Sequence, residues 1–120
     1  MSIAHLTKFH ATLAKPLKPT DTAMVLRVAP RWLDKVNTLP DGDVVYFMLD
    51  YYDRYELVKF EKQGKLSFVG GAVTMPIERG QFHTTIQSWP SGNCVRYELT
   101  GEIVAAMLEP CCQQNEWIAT

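Results

Sequence analysis

Two strand-forming runs separated by a short turn restrict this chain more than any other feature. Asp43–Leu49 (DVVYFML) is an almost unbroken apolar run. Arg54–Phe60 (RYELVKF) alternates, with Tyr55 and Leu57 on one side, Lys59 in the same register, and Glu56, Val58 and Phe60 on the other. Successive side chains on a strand point to opposite faces, so the alternating run has one face for a core. The continuous run needs cover on both faces, from its own core and from something else. Asp50-Tyr51-Tyr52-Asp53 reads as the turn between them.

Shorter runs punctuated by turn residues extend this pattern. Thr22–Val28 is bounded by Pro19-Thr20-Asp21 and Pro30, and Leu39-Pro40-Asp41-Gly42 is a turn. After the hairpin-type turn Glu61–Lys65 come Leu66–Val69, a bend at Gly70-Gly71, and Ala72–Met75. Arg31–Val36 reads as one helical turn lying on the sheet, with Trp32, Leu33 and Val36 on one face. Glu102–Glu109 has helical spacing, Thr100 as its N-cap and Pro110 as its stop. The expected architecture is mainly β: a small antiparallel β-sandwich or partly open β-barrel with one short C-terminal helix. Residues 1–20 read as an N-terminal arm in which His5–Leu13 is an irregular strand or one helical turn, ended by Pro16 and Pro19. Residues 21–109 form the β domain with its terminal helix, and residues 110–120 a C-terminal tail. The arm packs either on its own domain or on a neighbouring subunit.

A long loop dominates the second half. Pro76–Glu78 reads as a short strand, followed by Arg79-Gly80-Gln81 and a polar loop that closes at Trp89-Pro90-Ser91-Gly92 before a strand over Asn93–Leu99. A loop of this length in a 120-residue chain is usually functional or packed against a partner. Arg79 is expected to be structural, its guanidinium holding several loop carbonyls while Gln81 and Thr84 satisfy others and Gly80 makes the turn.

Several function classes recede. The net charge of −1 lacks the basic excess of a nucleic-acid binder, and no apolar run approaches the length of a bilayer span. The N-terminus has no uninterrupted apolar segment of the secretory kind, which places synthesis and assembly in a cytoplasm. Three cysteines, two of them adjacent at Cys111 and Cys112, form no disulfide framework, and His5, His10 and His83 are scattered, so no metal and no cofactor is expected. Phosphate-loop, HExxH and GxSxG signatures are missing. Cys94 with His83 is a weak nucleophile–base pair, and the commoner case is a buried structural thiol. Asp41, Asp43, Asp50 and Asp53 bracket a strand and belong to its turns rather than to a calcium loop. Tyr46, Tyr51, Tyr52 and Tyr55 are either a saccharide platform or core plus sheet surface. The expectation is a protein that is not an enzyme.

The ordered series Leu39-Pro40-Asp41-Gly42-Asp43, Arg54-Tyr55-Glu56-Leu57-Val58-Lys59, Ile77-Glu78-Arg79-Gly80-Gln81, Thr84-Thr85, Trp89-Pro90-Ser91-Gly92, Val95 and Glu98-Leu99-Thr100 resembles a small domain of tail-associated structural proteins of tailed bacteriophages and prophages. In that family the domain stands at the attachment end of tail fibres. The likeness covers most of residues 11–106, including an opening strand pair around Ala11–Leu26. It departs after Gln81, where the family pattern has an acidic residue and a glycine and this chain has Phe82-His83, removing a glycine from a place where the backbone needs a positive φ. No repetitive shaft follows, so the expectation is a stand-alone module.

The resemblance implies a virion structural protein of the tail tip, baseplate or fibre-attachment region, assembled in the host bacterial cytoplasm. It would act by homo-oligomerisation, as a trimer or hexamer, and by docking a fibre or neighbouring tail protein, with no nucleic acid and no membrane insertion. Expected contact residues are Phe9 in the arm, Phe82, His83, Ile86 and Trp89 in the loop, and Trp117 and Ile118 in the tail. The rival for Trp89 and Trp117 is that they fill the domain's own core. Alternative functions are a host-surface carbohydrate-binding module using Tyr51-Tyr52 and Trp89, and a head decoration or head–tail joining protein.

Overall fold

The computed structural model describes residue 6 and residues 8–97. The helix expected over Glu102–Glu109, the tail over 110–120 and its contact residues Trp117 and Ile118 lie outside the described residues. Within them the chain runs β1 (His10–Leu13), β2 (Ala23–Val28), α1 (Pro30–Asn37), β3 (Val44–Tyr51), β4 (Arg54–Glu61), β5 (Val73–Pro76), β6 (Glu78–Gln81) and β7 (Cys94–Tyr97).

These strands form one seven-stranded sheet in the order β5-β2-β1-β7-β3-β4-β6, and every pairing in it is antiparallel. β5 and β6 are its two edges, yet only Ile77 separates them in the chain. One residue cannot span an open seven-stranded sheet, because neighbouring strands lie about 4.8 Å apart. The sheet therefore rolls until its edges meet. Ile77 is buried at the seam, and its N–H donates to the Thr22 carbonyl at 2.9 Å. The result is a nearly closed barrel, mainly β, which resolves the choice between sandwich and barrel.

The barrel interior takes alternate residues from each strand. Ala11 and Leu13 come from β1, Met24 and Leu26 from β2, Val45, Phe47 and Leu49 from β3, Val58 and Phe60 from β4, and Val95 from β7. Helix α1 begins with Pro30, whose fixed φ suits a first turn, and Leu33 and Val36 are buried while Trp32 packs against the core. This is the described helix; it lies between β2 and β3.

The unbroken apolar run of β3 is covered on both faces by the chain itself. Its second face carries Tyr46 and Met48, which pack with Leu57 of β4 and with Phe82 from the long loop. Register pairs Met48 directly with Leu57, and the Phe82 ring lies 4.9 Å from that of Tyr46.

The described part of residues 1–20 packs on its own domain, because β1 lies inside the sheet between β2 and β7. The alternation of buried Phe9, Ala11 and Leu13 with exposed His10 and half-buried Thr12 makes it a strand, and the prolines at 16 and 19 follow its end. Three expectations need correction. Leu66–Val69 is not a strand. Its one bridge is Val69 with Ala72, across a turn in which Gly70 and Gly71 both have positive φ. Leu66 instead uses both its backbone groups on the Asn37 side chain, at 2.8 Å each, and an amide in that position substitutes for a neighbouring strand. Arg79-Gly80-Gln81 is not the start of a loop but part of β6, paired with β4. Cys94 is exposed, since Val95 takes the inward position of that strand.

Candidate interaction site

At one end of the barrel the β3–β4 hairpin tip faces the loop over residues 82–88. Asp53, Arg54, Tyr55, His83, Thr84, Thr85 and Gln87 line an open groove of about 410 Å³ between them. The wall behind it is built around Glu56.

Alternation along β4 turns Glu56 toward the interior with Val58 and Phe60, and its side chain is wholly buried. A carboxylate there costs several kcal/mol unless it is paired and hydrogen-bonded. β6 supplies the pairing through a bulge. Leu57 pairs with Gln81 and Lys59 with Glu78, leaving Arg79 and Gly80 opposite Val58 alone. An extra residue of this kind re-aims a side chain, here Arg79. Its Nε lies 2.7 Å from Glu56 Oε2 and its Nη2 3.0 Å from Oε1, a two-pronged pair. Gly80 N–H donates to Oε2 at 3.0 Å, while Gln87 N–H and Trp89 Nε1–H donate to Oε1 at 3.2 and 3.0 Å.

Arg79 spends its remaining donors on backbone. Nη2 donates to the Gln87 carbonyl at 2.7 Å, and Nη1 to the carbonyls of Lys18 and Asp21 at 2.6 and 3.1 Å. One ion pair therefore binds β4, β6, the long loop and the segment between β1 and β2. Leu17 and Trp89 reinforce the last link with reciprocal backbone hydrogen bonds of 2.8 and 2.9 Å. Burial pushes the Glu56 carboxyl upward, but hydrogen bonds from Arg79 and Trp89, the Arg79 charge and the Gln87 N–H outweigh it and hold the group below its ordinary value. With its oxygens surrounded by five donors it is an acceptor that organises structure, not a base open to a substrate.

The loop hangs on this wall. Thr84 Oγ1 accepts from the Leu57 N–H at 3.0 Å and donates to the Gln81 carbonyl at 2.7 Å. Gln81 Nε2 donates to the Arg79 carbonyl at 3.3 Å, and Gln87 Nε2 to that of Tyr55 at 3.2 Å. Gly80 has φ +61°, and Phe82 and His83 also lie in the left-handed region, at +56° and +65°. Phe82 and His83 thus carry side chains at positions where the backbone adopts positive φ. Phe82 is turned back onto Tyr46, whereas His83 is exposed and lines the groove.

The structure brings Arg79, Gly80, Gln81, Phe82, His83, Thr84, Ile86 and Trp89 into this one corner. Trp89 is no surface residue: it is 1 % exposed, because its indole N–H is needed by Glu56 and the Arg54 guanidinium lies over its ring, 4.8 Å from the centroid. Phe9 is likewise in the core, packed on Phe47 and Trp32 with centroids 4.9 and 5.6 Å apart. Ile86 and His83 are exposed, and Phe82 is half-buried. Sequence reasoning missed Glu56 and Arg54. Its signal for Glu56 was a carboxylate on the same face as Val58 and Phe60. The hairpin tip adds Tyr51 and Tyr52, the latter 88 % exposed, with their rings edge to face at 4.4 Å.

Among the described residues no three His, Cys, Asp or Glu side chains are grouped as metal ligands, and no helix is long and apolar enough to cross a membrane. No protein-family model matches the chain, and no curated protein matches it at a significant level.

Proposed function

We propose that the chain is a virion structural protein of a tailed phage or prophage, working in the tail tip, baseplate or fibre-attachment region. It associates with itself and docks a fibre or neighbouring tail protein, and it is not an enzyme. The resemblance along residues 11–106 supplies the biological setting. The observation that carries the reading is a protruding tyrosine hairpin and an exposed loop fixed to one buried ion pair. Tyr51, Tyr52 and Ile86 are exposed at this end of the barrel, and aromatic side chains are enriched at protein interfaces. The Glu56–Arg79 wall holds their backbones still, which lowers the entropy that docking must overcome.

A glycan-binding module is the second reading, supported by the polar groove lining with Tyr55 at its side. It loses the stacking face expected of Trp89, which lies beneath Arg54. A head-side decoration or joining role would use the same contact chemistry at a different place.

The test is the solution mass by light scattering over a range of concentrations, for wild type and Tyr52→Ala. A trimer or hexamer that the substitution weakens supports the assembly reading. A strict monomer that instead binds a glycan, with binding lost in Tyr55→Ala, moves the function to the second.

A further inference from the structure

A second groove lies on the other side of β1, away from the tyrosine hairpin. It is about 460 Å³ and is lined by Lys8, His10, Ala11, Thr12, Arg27, Val28, Ala29, Arg31 and Trp32. Thr12 and Arg27 face each other across the β1–β2 pair, and Arg31 stands in the first turn of α1. Among the described residues no acidic side chain lines this groove, and Lys8, Arg27 and Arg31 make no ion pair. Three cations gathered around one concavity repel one another, and an anionic occupant relieves that repulsion.

The chemistry favours carboxylates over a nucleic acid. The Trp32 ring is already engaged by Arg31 and Lys35, at 5.6 and 5.8 Å from its centroid, and by the edge of Phe9. It is not free to stack a base as a single-strand binder requires. A carboxylate source lies close by in the chain. Residues 98–120 carry Glu98, Glu102, Glu109 and Glu116 and no lysine or arginine, so all 12 of those cations precede them. The preceding strand, β7, ends next to the groove, where Tyr97 N–H donates to the Phe9 carbonyl at 3.4 Å and Phe9 adjoins Lys8. A tether this short gives an effective concentration in the millimolar range, which favours the same molecule over a second copy.

We propose that the groove between β1, β2 and α1 is the docking site for the acidic stretch 98–120 of the same chain, held by glutamate carboxylates on Lys8, Arg27 and Arg31. The inference stands on charge and position and does not depend on the virion reading.

The test is zero-length carboxyl-to-amine cross-linking of the full chain, read by mass spectrometry on a mixture of ordinary and isotope-labelled protein. Glutamates of 98–120 should couple chiefly to Lys8 and Lys35, within single molecules. Coupling should fall several-fold in Arg27→Glu/Arg31→Glu. It should fall similarly in Glu102→Gln/Glu109→Gln, which changes no residue of β1–β7 or α1. Raising ionic strength from about 0.1 M to about 1 M shortens the Debye length from about 10 Å to about 3 Å and should weaken it too. Coupling spread evenly over Lys15, Lys59 and Lys65, or found between molecules alone, overturns the proposal. So does an oligonucleotide that binds wild type, is lost in Arg27→Glu/Arg31→Glu, and meets no coupling at Lys8.

Discussion

Trp89 donates its indole N–H to Glu56 Oε1 at 3.0 Å, in a barrel wall where both side chains are buried. The bond joins the closing turn of the long loop to β4, and Arg79 completes the carboxylate from β6, the edge strand paired with β4. Removing the charge at Glu56 therefore strands a buried guanidinium and frees the loop at once. Glu56→Gln should cost about 3–5 kcal/mol, the usual loss when one partner of a buried pair is removed. The pair of half-buried Lys59 with exposed Glu78, at 3.7 Å, is the control. Glu78→Gln should cost less than about 1 kcal/mol. Urea unfolding of both variants measures the contrast, and equal losses would rule out a special role for Glu56.

The same pair sets an acid limit on stability. The Glu56 carboxyl lies below its ordinary value of 4.5 in the folded chain and regains that value on unfolding. Between the two values the unfolded chain binds the extra proton, so stability falls as pH falls. The contribution is complete above about pH 5.5, begins to fade through the ordinary carboxylate range near 4.5, and is gone once pH passes below the folded-state value. Thermal unfolding from neutral pH down to about pH 3 should show a steeper decline for wild type than for Glu56→Gln. Parallel curves would assign the acid sensitivity to other carboxylates.

Gly80 is constrained twice. Its φ of +61° costs another residue about 1–2 kcal/mol, and an added Cβ would lie 2.8 Å from Ile86 Cγ1 and 3.1 Å from the Thr84 carbonyl. Gly80→Ala should therefore destabilise by more than the conformational cost alone. Adding Ile86→Ala removes the side-chain overlap but neither the backbone strain nor the Thr84 contact. The double variant should recover part of the loss, with a coupling of at least about 0.5 kcal/mol in a double-mutant cycle. Strict additivity would mean that the loop shifts freely, contrary to its hydrogen bonding.

The strand pattern was legible because burial follows local alternation: β2 and β7 fall within runs the sequence marks, while β3 continues two residues beyond its run, through Asp50-Tyr51 of the expected turn, and β4 one residue beyond, to Glu61. Two things were not. Leu66–Val69 has strand composition, but strand formation needs a partner, and the Asn37 amide takes the backbone groups that a partner would use. The union of Glu56 with Arg79 depends on a bulge that places two residues of β6 against one of β4. No periodicity in either strand encodes that offset. Arg79 was expected to hold loop carbonyls; two of the three it holds belong to Lys18 and Asp21, outside the loop, because the rolled sheet brings the β1–β2 connection to its edge.

Phe82 and His83 share an unfavourable backbone but should respond oppositely to glycine. Phe82 has φ +56°, yet its ring covers Tyr46, Met48 and Leu57, so Phe82→Gly should destabilise by about 2 kcal/mol or more. His83 has φ +65° and an exposed side chain on the groove. His83→Gly removes about 1–2 kcal/mol of strain and returns about 0.4–1 kcal/mol through the freer unfolded chain. It should therefore be neutral or stabilising by up to about 1.6 kcal/mol. Strain kept where no packing compensates for it points to function at that position. On the assembly reading, His83→Gly should raise the unfolding midpoint while weakening self-association, and light scattering beside thermal unfolding separates the two effects. A loss of stability in His83→Gly would mean that the imidazole itself holds the loop, and the groove would lose its claim to a residue retained for binding.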